Sequence, residues 1–419
     1  MTVGESEADA MSRLTVLEEL KSACAAAQVR ETARVIELRA SDEDLRNVPM
    51  KRRGRGLSAE IGLARKASPR KGAQFLGFAR ALTDEMPHTM RALTSGELTE
   101  WRATILVRET AYLTRETREE MDRRICADSS TLDGVSDRAL DALAKKHAYE
   151  LDPHAVVARS ARAEKDRRVG VRPAPDLMTT LSALLPMKQG VAVYASLKQH
   201  ADSIVGADDR THPQIMADTL VERVTGQSSA EKVPVAVNVV MSERTLLTDS
   251  DEAAEVPGFG PIPGHLARQM IADGTADDNE TLSTIRRLFA RPADGTLVSM
   301  DARSRTFPKS LAHFVAMRDR CCRTPYCGAP IAEIDHAHPH RDGGATTGAN
   351  GDGACRTHNR AKEADGWRYA VIDAPGGHRI EIQTPTGAVH ESVAPPAIGH
   401  VPDTVSVVET RLRAMLNAA

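Results

Sequence analysis

The chain has 419 residues, of which 41% are hydrophobic and 27% charged, and its formal charge is −3. That length exceeds one typical domain, and that balance allows a sizeable core, so two or more globular units are expected. The near-neutral charge excludes a generally basic protein that coats nucleic acid, while leaving room for a local basic face.

The first twenty residues lack a basic stretch followed by an apolar block, so no secretory leader is expected. The longest apolar run, around Val233–Met241, is far too short to span a bilayer, and no membrane association is expected. Four of the six cysteines cluster near one another. Such clustering points to metal in a reducing compartment rather than to a disulfide framework, and hence to a cytoplasmic location.

From Ser12 to Ala40, Leu14, Leu17, Leu20, Cys24, Val29, Ala33 and Ile36 recur at steps that mark one helical stripe. Cys24 is expected to be a packed core thiol. Met50–Gly56 (MKRRGRG) reads as a solvated basic connector, with phosphate contact as the other reading. Thr94-Ser95-Gly96-Glu97 offers a helix start ahead of Leu98, Trp101, Ile105 and Leu106. Thr114-x-x-Thr117 and Ser136-Asp137 open two more helices, and Asp152-Pro153 breaks the chain between helices. Cys126, at the end of one of these helices, is expected to be structural.

After Arg168 the texture changes. Val169–Pro173 and Leu177–Leu185 read as strands, and Val233, Val235, Val237 and Val239 alternate as in a half-buried strand. Helices are expected over Met187–Ala201, Pro213–Val224 and Leu266–Ala272, with an acidic loop at Asp249–Pro263. The N-terminal unit, residues 12–300, is therefore mostly helical with a small sheet. It contains no Walker loop, nucleophile elbow or dinucleotide fingerprint.

Between Ala302 and Arg323 stand Arg303, Arg305, Lys309, Arg318, Arg320 and Arg323 against Asp319 alone. Such an excess is what a phosphate-tracking surface requires, the other reading being a solvated helix face. The chain then concentrates its chemistry. Cys322-x4-Cys327 and Cys355-x2-His358 are two close pairs of sulfur and nitrogen donors, the set that tetrahedral zinc takes from tight turns. Cys321 adjoins Cys322, but the x4 loop is the tighter fit. The region between the pairs has too few large apolar residues to fold unaided, so a metal staple is expected to hold it.

Four protein ligands close that ion, so catalysis must come from elsewhere: Asp335, His336, His338, His340, Asn350 or Asn359. A carboxylate such as Asp335 suits a hard divalent ion, and a neutral imidazole such as His336 suits proton removal from water. For His338 and His340 the reading is an ordinary surface pair beside the Gly343-Gly344 turn. After Trp367, the segments Tyr369–Asp373 and Arg379–Thr384 read as a hairpin around Pro375-Gly376-Gly377. A loose tail with a short helix over Ser406–Leu416 follows.

Asp335-His336-x2-Pro339, Gly343-Gly344, Asn350 and Cys355-x2-His358-Asn359 together resemble the HNH endonuclease module and its ββα-metal fold. The segments 108–125, 217–226, 233–247 and 305–327 extend the likeness. They resemble a large actinobacterial family in which a domain of unknown function precedes such a module. The resemblance implies an α+β chain with the helical domain at 12–300, a zinc-stapled nuclease module at 301–368, and a hairpin and tail at 369–419. It implies that His336 is the general base, that Asp335 and Asn359 hold a catalytic Mg²⁺ or Mn²⁺, and that Asn350 steadies the loop and the base. Asn359 stands where the motif closes on His, which makes this an H-N-N variant, and His358 stands where a fourth thiolate is common. The implied partner is DNA, with Arg318, Arg320, Arg323 and Lys362 as backbone contacts. The implied reaction is phosphodiester hydrolysis; a zinc-stapled DNA-binding module that has lost cleavage is the alternative.

Overall fold

The computed structural model describes residues 6–204, 209–226, 239–242, 245–246, 250–256, 258–276, 306–372 and 377–396. It is an α+β chain, mostly helical, with small antiparallel sheets. No described helix is long and apolar enough to cross a membrane.

Helix α1 (Glu7–Leu45) begins with a capping box in which Ser6 and Asp9 satisfy each other's backbone donors. Its buried face runs through Ser22, Ala25, Ala26, Val29 and Thr32. Leu14, Leu17 and Leu20 lie exposed, off that face. Cys24 falls off the buried face and is exposed, contrary to the core thiol expected from the stripe.

Helices α2 (Leu57–Ala64), α3 (Pro69–Asp84), α4 (Pro87–Ser95), α5 (Glu100–Thr110), α6 (Arg115–Cys126), α7 (Asp137–Leu151) and α8 (Pro153–Ala163) follow. Thr114 and Ser136 cap α6 and α7 with side-chain oxygens, as expected, and Asp152, at the expected break between helices, caps α8. Gly96 does not open a helix. At φ 87° it ends α4 in the left-handed region, and Thr99 caps α5 instead. The Asp122 carboxylate accepts the His88 and Thr89 amides at 2.7 and 2.8 Å, closing the N-terminus of α4. The core here comprises Leu82, Met86, Leu93, Leu98, Leu106, Met121 and Leu140, with Cys126 fully buried beside them. Burial pushes the Cys126 thiol up to about 11, as befits an inert structural cysteine.

Strands β1 (Arg168–Pro173) and β2 (Thr179–Leu184) form an antiparallel hairpin with Val171 opposite Leu181. Helices α9 (Met187–Ile204) and α10 (His212–Thr225) pack on each other. Strands β3 (Ala254–Val256) and β4 (Gly260–Ile262) and helix α11 (Gly264–Ala276) complete this part. Of the expected strand at Val233–Val239 only Val239 is among the described residues. Arg303, Arg305, Pro375, Gly376 and the expected helix at Ser406–Leu416 lie outside them.

The last part contains α12 (Lys309–Asp319), β5 (Glu333–His336), β6 (Gly351–Ala354), α13 (Arg356–Lys362), β7 (Arg368–Ile372), β8 (Arg379–Gln383) and β9 (Val389–Val393). Strands β5 and β6 pair antiparallel with Asp335 opposite Asp352. The expected hairpin after Trp367 gains a third strand, β9, which pairs with β8. This sheet is no separate appendage. Tyr369, Ile380 and Ile382 turn inward and share one core with Ala337, Ala361, Ala364 and Trp367. Ala59 and Leu63 of α2 belong to that core too, so the boundary at residue 300 does not divide the packing.

Candidate metal centre and active site

Cys322 and Cys327 stand on the loop that follows α12, while Cys355 is the N-cap of α13 and His358 lies in its first turn. The loop turns tightly because Tyr326 and Gly328 take positive φ, and the Cys322 amide donates to the Ala329 carbonyl at 2.9 Å. The four ligand atoms lie within 4.8 Å of one another. Nδ1 of His358 is 3.3 Å from Sγ of Cys322 and 3.6 Å from Sγ of Cys355, and the Cys327 and Cys355 sulfurs are 3.8 Å apart. Tetrahedral zinc separates its ligands by roughly 3.8 Å between sulfurs and roughly 3.6 Å between sulfur and nitrogen. The cluster could bind a metal such as zinc, with all four positions filled by protein. The three close thiols share their protons unequally: hydrogen bonds from Cys322 and Cys327 lower the Cys355 thiol, while Cys322 and Cys327 are themselves pushed up. Cys321 is outside the cluster; its amide donates to the Asp319 carbonyl at 2.6 Å.

Beside the cluster, β5 and α13 face each other rung by rung. Strand geometry puts Glu333 and Asp335 on one face. Helical geometry puts Asn359 and Lys362 one turn apart. Asn359 Nδ2 donates to Glu333, and Lys362 Nζ lies 2.9 Å from Asp335 Oδ2. The side-chain oxygen of Asn359, Oδ1, is buried and has no hydrogen-bond partner among the described residues. Lys362 also donates to the His336 carbonyl at 2.8 Å. Burial works to raise the Asp335 carboxyl, but Lys362 outweighs it and holds the group below its ordinary value.

His336 is 6% exposed, with its ring 4.7 Å from that of Phe307. Its Nε2 is 2.8 Å from the Thr346 hydroxyl, and its Nδ1 is 3.5 Å from Asp335 Oδ1. Burial pulls the imidazole below its ordinary pKa and prevails over the opposing carboxylate. Asn350 pins the intervening loop. Its Oδ1 accepts the His338 amide at 2.8 Å, and its Nδ2 donates to the His338 and Ala345 carbonyls at 3.0 and 2.9 Å. Gly344 closes the same loop, since a Cβ there would come within 1.9 Å of the His338 carbonyl oxygen. His338 and His340 are exposed. The residues that sequence reasoning missed are Glu333 and Thr346. The Glu333-x-Asp335 spacing on a strand signals the first; nothing local signals the second.

The expected DNA contacts are largely otherwise engaged. Arg318 and Arg323 are 3% and 5% exposed, and both bind Asp319, at 2.7 and 2.9 Å. Arg318 also donates to the Gly348 and Gly351 carbonyls, and Arg323 to the Ser392 carbonyl at 2.8 Å. They are structural cations: buried Asp319 draws both inward, and phosphate cannot reach them. Lys362 is likewise buried, on Asp335. Arg320 is half-buried and donates to the Pro396 carbonyl at 2.8 Å. Exposed cations in this part include Lys309 of α12, Arg341 in the loop after β5, and Arg356 and Arg360 of α13.

The family model for a domain of unknown function, DUF222, matches residues 14–319. The chain belongs to the DUF222 family. The match ends at buried Asp319, so the DUF222 region runs through α12 and stops just before Cys322, the first residue of the Cys/His cluster. Curated relatives include two proteins of Mycobacterium tuberculosis, both described as uncharacterized. Rv3776 is 33% identical over 168 residues, covering 35% of this chain and 30% of that protein. Rv2100 is 34% identical over 131 residues, covering 29% of this chain and 21% of that protein. The similarity thus spans less than a third of either relative. No solved structure matches the chain.

Proposed function

We propose that this DUF222 protein is a metal-dependent endonuclease of the HNH type that hydrolyses DNA phosphodiester bonds, with residues 301–368 as its ββα-metal module. The observation that carries the reading is the Asp335 carboxylate 3.5 Å from the His336 ring on β5, with the orphaned Oδ1 of Asn359 on the neighbouring helix α13. A buried acceptor with no protein donor calls for a water or a cation beside it. Asp335 on β5 and Asn359 on α13 carry hard oxygen donors of the kind Mg²⁺ or Mn²⁺ takes and would hold it, while Glu333 accepts from the Asn359 amide nitrogen. Such an ion, when bound, supplies positive charge to the scissile phosphate as its P–O bond breaks.

The chain's own residues do the rest. His336 is kept neutral by burial and accepts a proton from the attacking water near neutral pH. The water oxygen bonds to phosphorus, the P–O3′ bond breaks, and the departing oxygen takes a proton from solvent. The products are a 5′-phosphate and a 3′-hydroxyl. Thr346 holds the ring through Nε2, and Asn350 holds the loop behind it. Arg356 and Arg360, with no hydrogen bond or ion pair among the described residues, are the phosphate contacts that replace the buried arginines.

One observation favours a second reading, a zinc-stapled DNA-binding module without cleavage: the Lys362 ammonium already stands on Asp335. Supercoiled plasmid with Mg²⁺, Mn²⁺ or EDTA separates the two. Nicking is expected only with metal, and His336→Ala and Asn359→Ala should each slow it by about a hundredfold or more. Zinc content should stay the same in both variants. DNA binding without nicking under every metal condition would establish the second reading instead.

A further inference from the structure

The wall behind the candidate site comes from the far end of the chain. Ala337, next to His336, is fully buried, and it packs with Ala361, Ala364 and Trp367 against Ala59 and Leu63 of α2. The approach is close. Gly56 caps the N-terminus of α2 at φ +77°, and a Cβ there would come within 2.4 Å of the Trp367 indole nitrogen. Both the backbone angle and the space demand glycine.

A single carboxylate fastens the seam. Glu60 of α2 accepts from Arg39 of α1 at 2.6 Å, with side chains only 8% and 12% exposed. Its second oxygen accepts the Thr386 amide at 3.0 Å and the Thr386 hydroxyl at 2.7 Å, in the turn between β8 and β9. Two neighbouring helices and a turn more than 300 residues away therefore share one buried group. Removing it would strand the Arg39 guanidinium and two Thr386 donors together.

We infer that α2 is the positioning element of the candidate site. Its docking, latched by Glu60, fixes Ala337 and α13, and through them sets His336, Lys362 and Asn359 in register. The DUF222 helices are then an obligate internal partner of the metal-stapled module, not a carrier tethered to it. The cleavage consequence rests on the nuclease reading; the packing consequence does not.

The test uses full-length protein with Trp101→Phe, which leaves Trp367 as the single tryptophan. Gly56→Ala, Leu63→Ala and Glu60→Gln are compared with Leu140→Ala, which weakens the helical core away from the seam. Gly56→Ala and Leu63→Ala should raise acrylamide quenching of Trp367 about twofold and lower the nicking kcat about tenfold, with KM for DNA little changed. Zinc should remain at one per chain. Glu60→Gln, nearly isosteric, should move both readouts in the same direction even if the other two variants fold poorly. Leu140→Ala should move neither. Unchanged quenching in the seam variants, or equal change in the control, overturns the inference. Should the parent protein nick nothing, the nuclease reading falls and the quenching series still decides this one.

Discussion

From α3 to α7 the chain is held by apolar side chains, with Leu82, Met86, Leu93, Leu98, Leu106, Met121 and Leu140 packed out of solvent. Between α12 and β9 the interior instead contains Arg318, Asp319, Arg323, Asp352, His358, Lys362 and His378, around a few apolar residues of which two are borrowed from α2. Apolar contact is non-directional and tolerates adjustment, whereas buried charge requires its partner in place. The second region should therefore fail abruptly when one polar partner or the metal is removed, while the first should weaken by degrees. Each of the following experiments would break that contrast or give it a scale.

Metal removal should have the largest effect. Structural zinc supplies on the order of 10 kcal/mol of apparent binding free energy in small modules. Chelation, or Cys355→Ser, should expose Trp367 and abolish zinc binding while most of the helical circular dichroism persists. A parallel loss of helical signal would show that the two regions do not differ as argued.

Next comes Asp319, which receives both arginines and the Gly353 amide at 2.8 Å. Burial works to raise this carboxyl, and the two guanidiniums outweigh it. Asp319→Ala leaves two buried cations unpaired and should cost about 3–5 kcal/mol in urea unfolding. Leu140→Ala in the helical core should cost a comparable ~3 kcal/mol but act by cavity formation, so a conservative Leu140→Met should restore most of it. Asp319→Asn, equally conservative in shape, should restore little.

What the sequence discloses divides along the same line. Caps at Thr114, Ser136 and Asp152 are legible because a side chain bonds a backbone amide three residues away. The metal pairs are legible because their spacing is local. Arg318 and Arg323 mislead because a basic run reads as surface, and only the fold discloses that Asp319 is interior. Cys24 misleads because an apolar stripe does not say which face of the helix meets its partners: Ser22, Ala25 and Ala26 do, and Cys24 between them does not. Gly96 serves a helix end as readily as a start, and only its positive φ decides. The docking of α2 on Ala337 and Thr386 joins residues some 300 positions apart, and no local pattern encodes it.

Acidity should reveal two opposed groups in the second region. Burial pushes His378 down to about 4 from its ordinary 6.5, with its Nε2 donating to the Ala349 carbonyl at 2.6 Å. Between those limits the unfolded chain binds the extra proton, so this group's contribution is present above pH 6.5 and lost as pH falls toward 4. Burial pushes Asp352 up to about 6 from 3.8, and its Oδ1 has no partner. Here the folded chain binds the extra proton, so stability rises as pH falls from 6 toward 3.8. Each amounts to roughly 3 kcal/mol, and in the native protein they nearly cancel. Asp352→Asn should uncover a loss of about that size on acidification, and His378→Gln a gain. Parallel pH profiles for both variants would refute the assignment.

The smallest effect should come from the rim of the α2 seam. Arg52 and Asp365 meet at 2.8 Å with about half of each side chain exposed, in contrast to Glu60, which is buried a few residues away in sequence. Water screens the outer pair, and holding two long side chains in one geometry offsets most of the attraction, so Arg52→Ala should cost less than about 1 kcal/mol and less still in high salt. Glu60→Ala removes a desolvated carboxylate and should cost about 3 kcal/mol or more, largely independent of salt. The two substitutions act on the same interface, so their salt dependence separates latch from rim. A salt-sensitive Glu60→Ala, or a costly Arg52→Ala, would mean that the outer pair carries the docking and that the buried carboxylate does not.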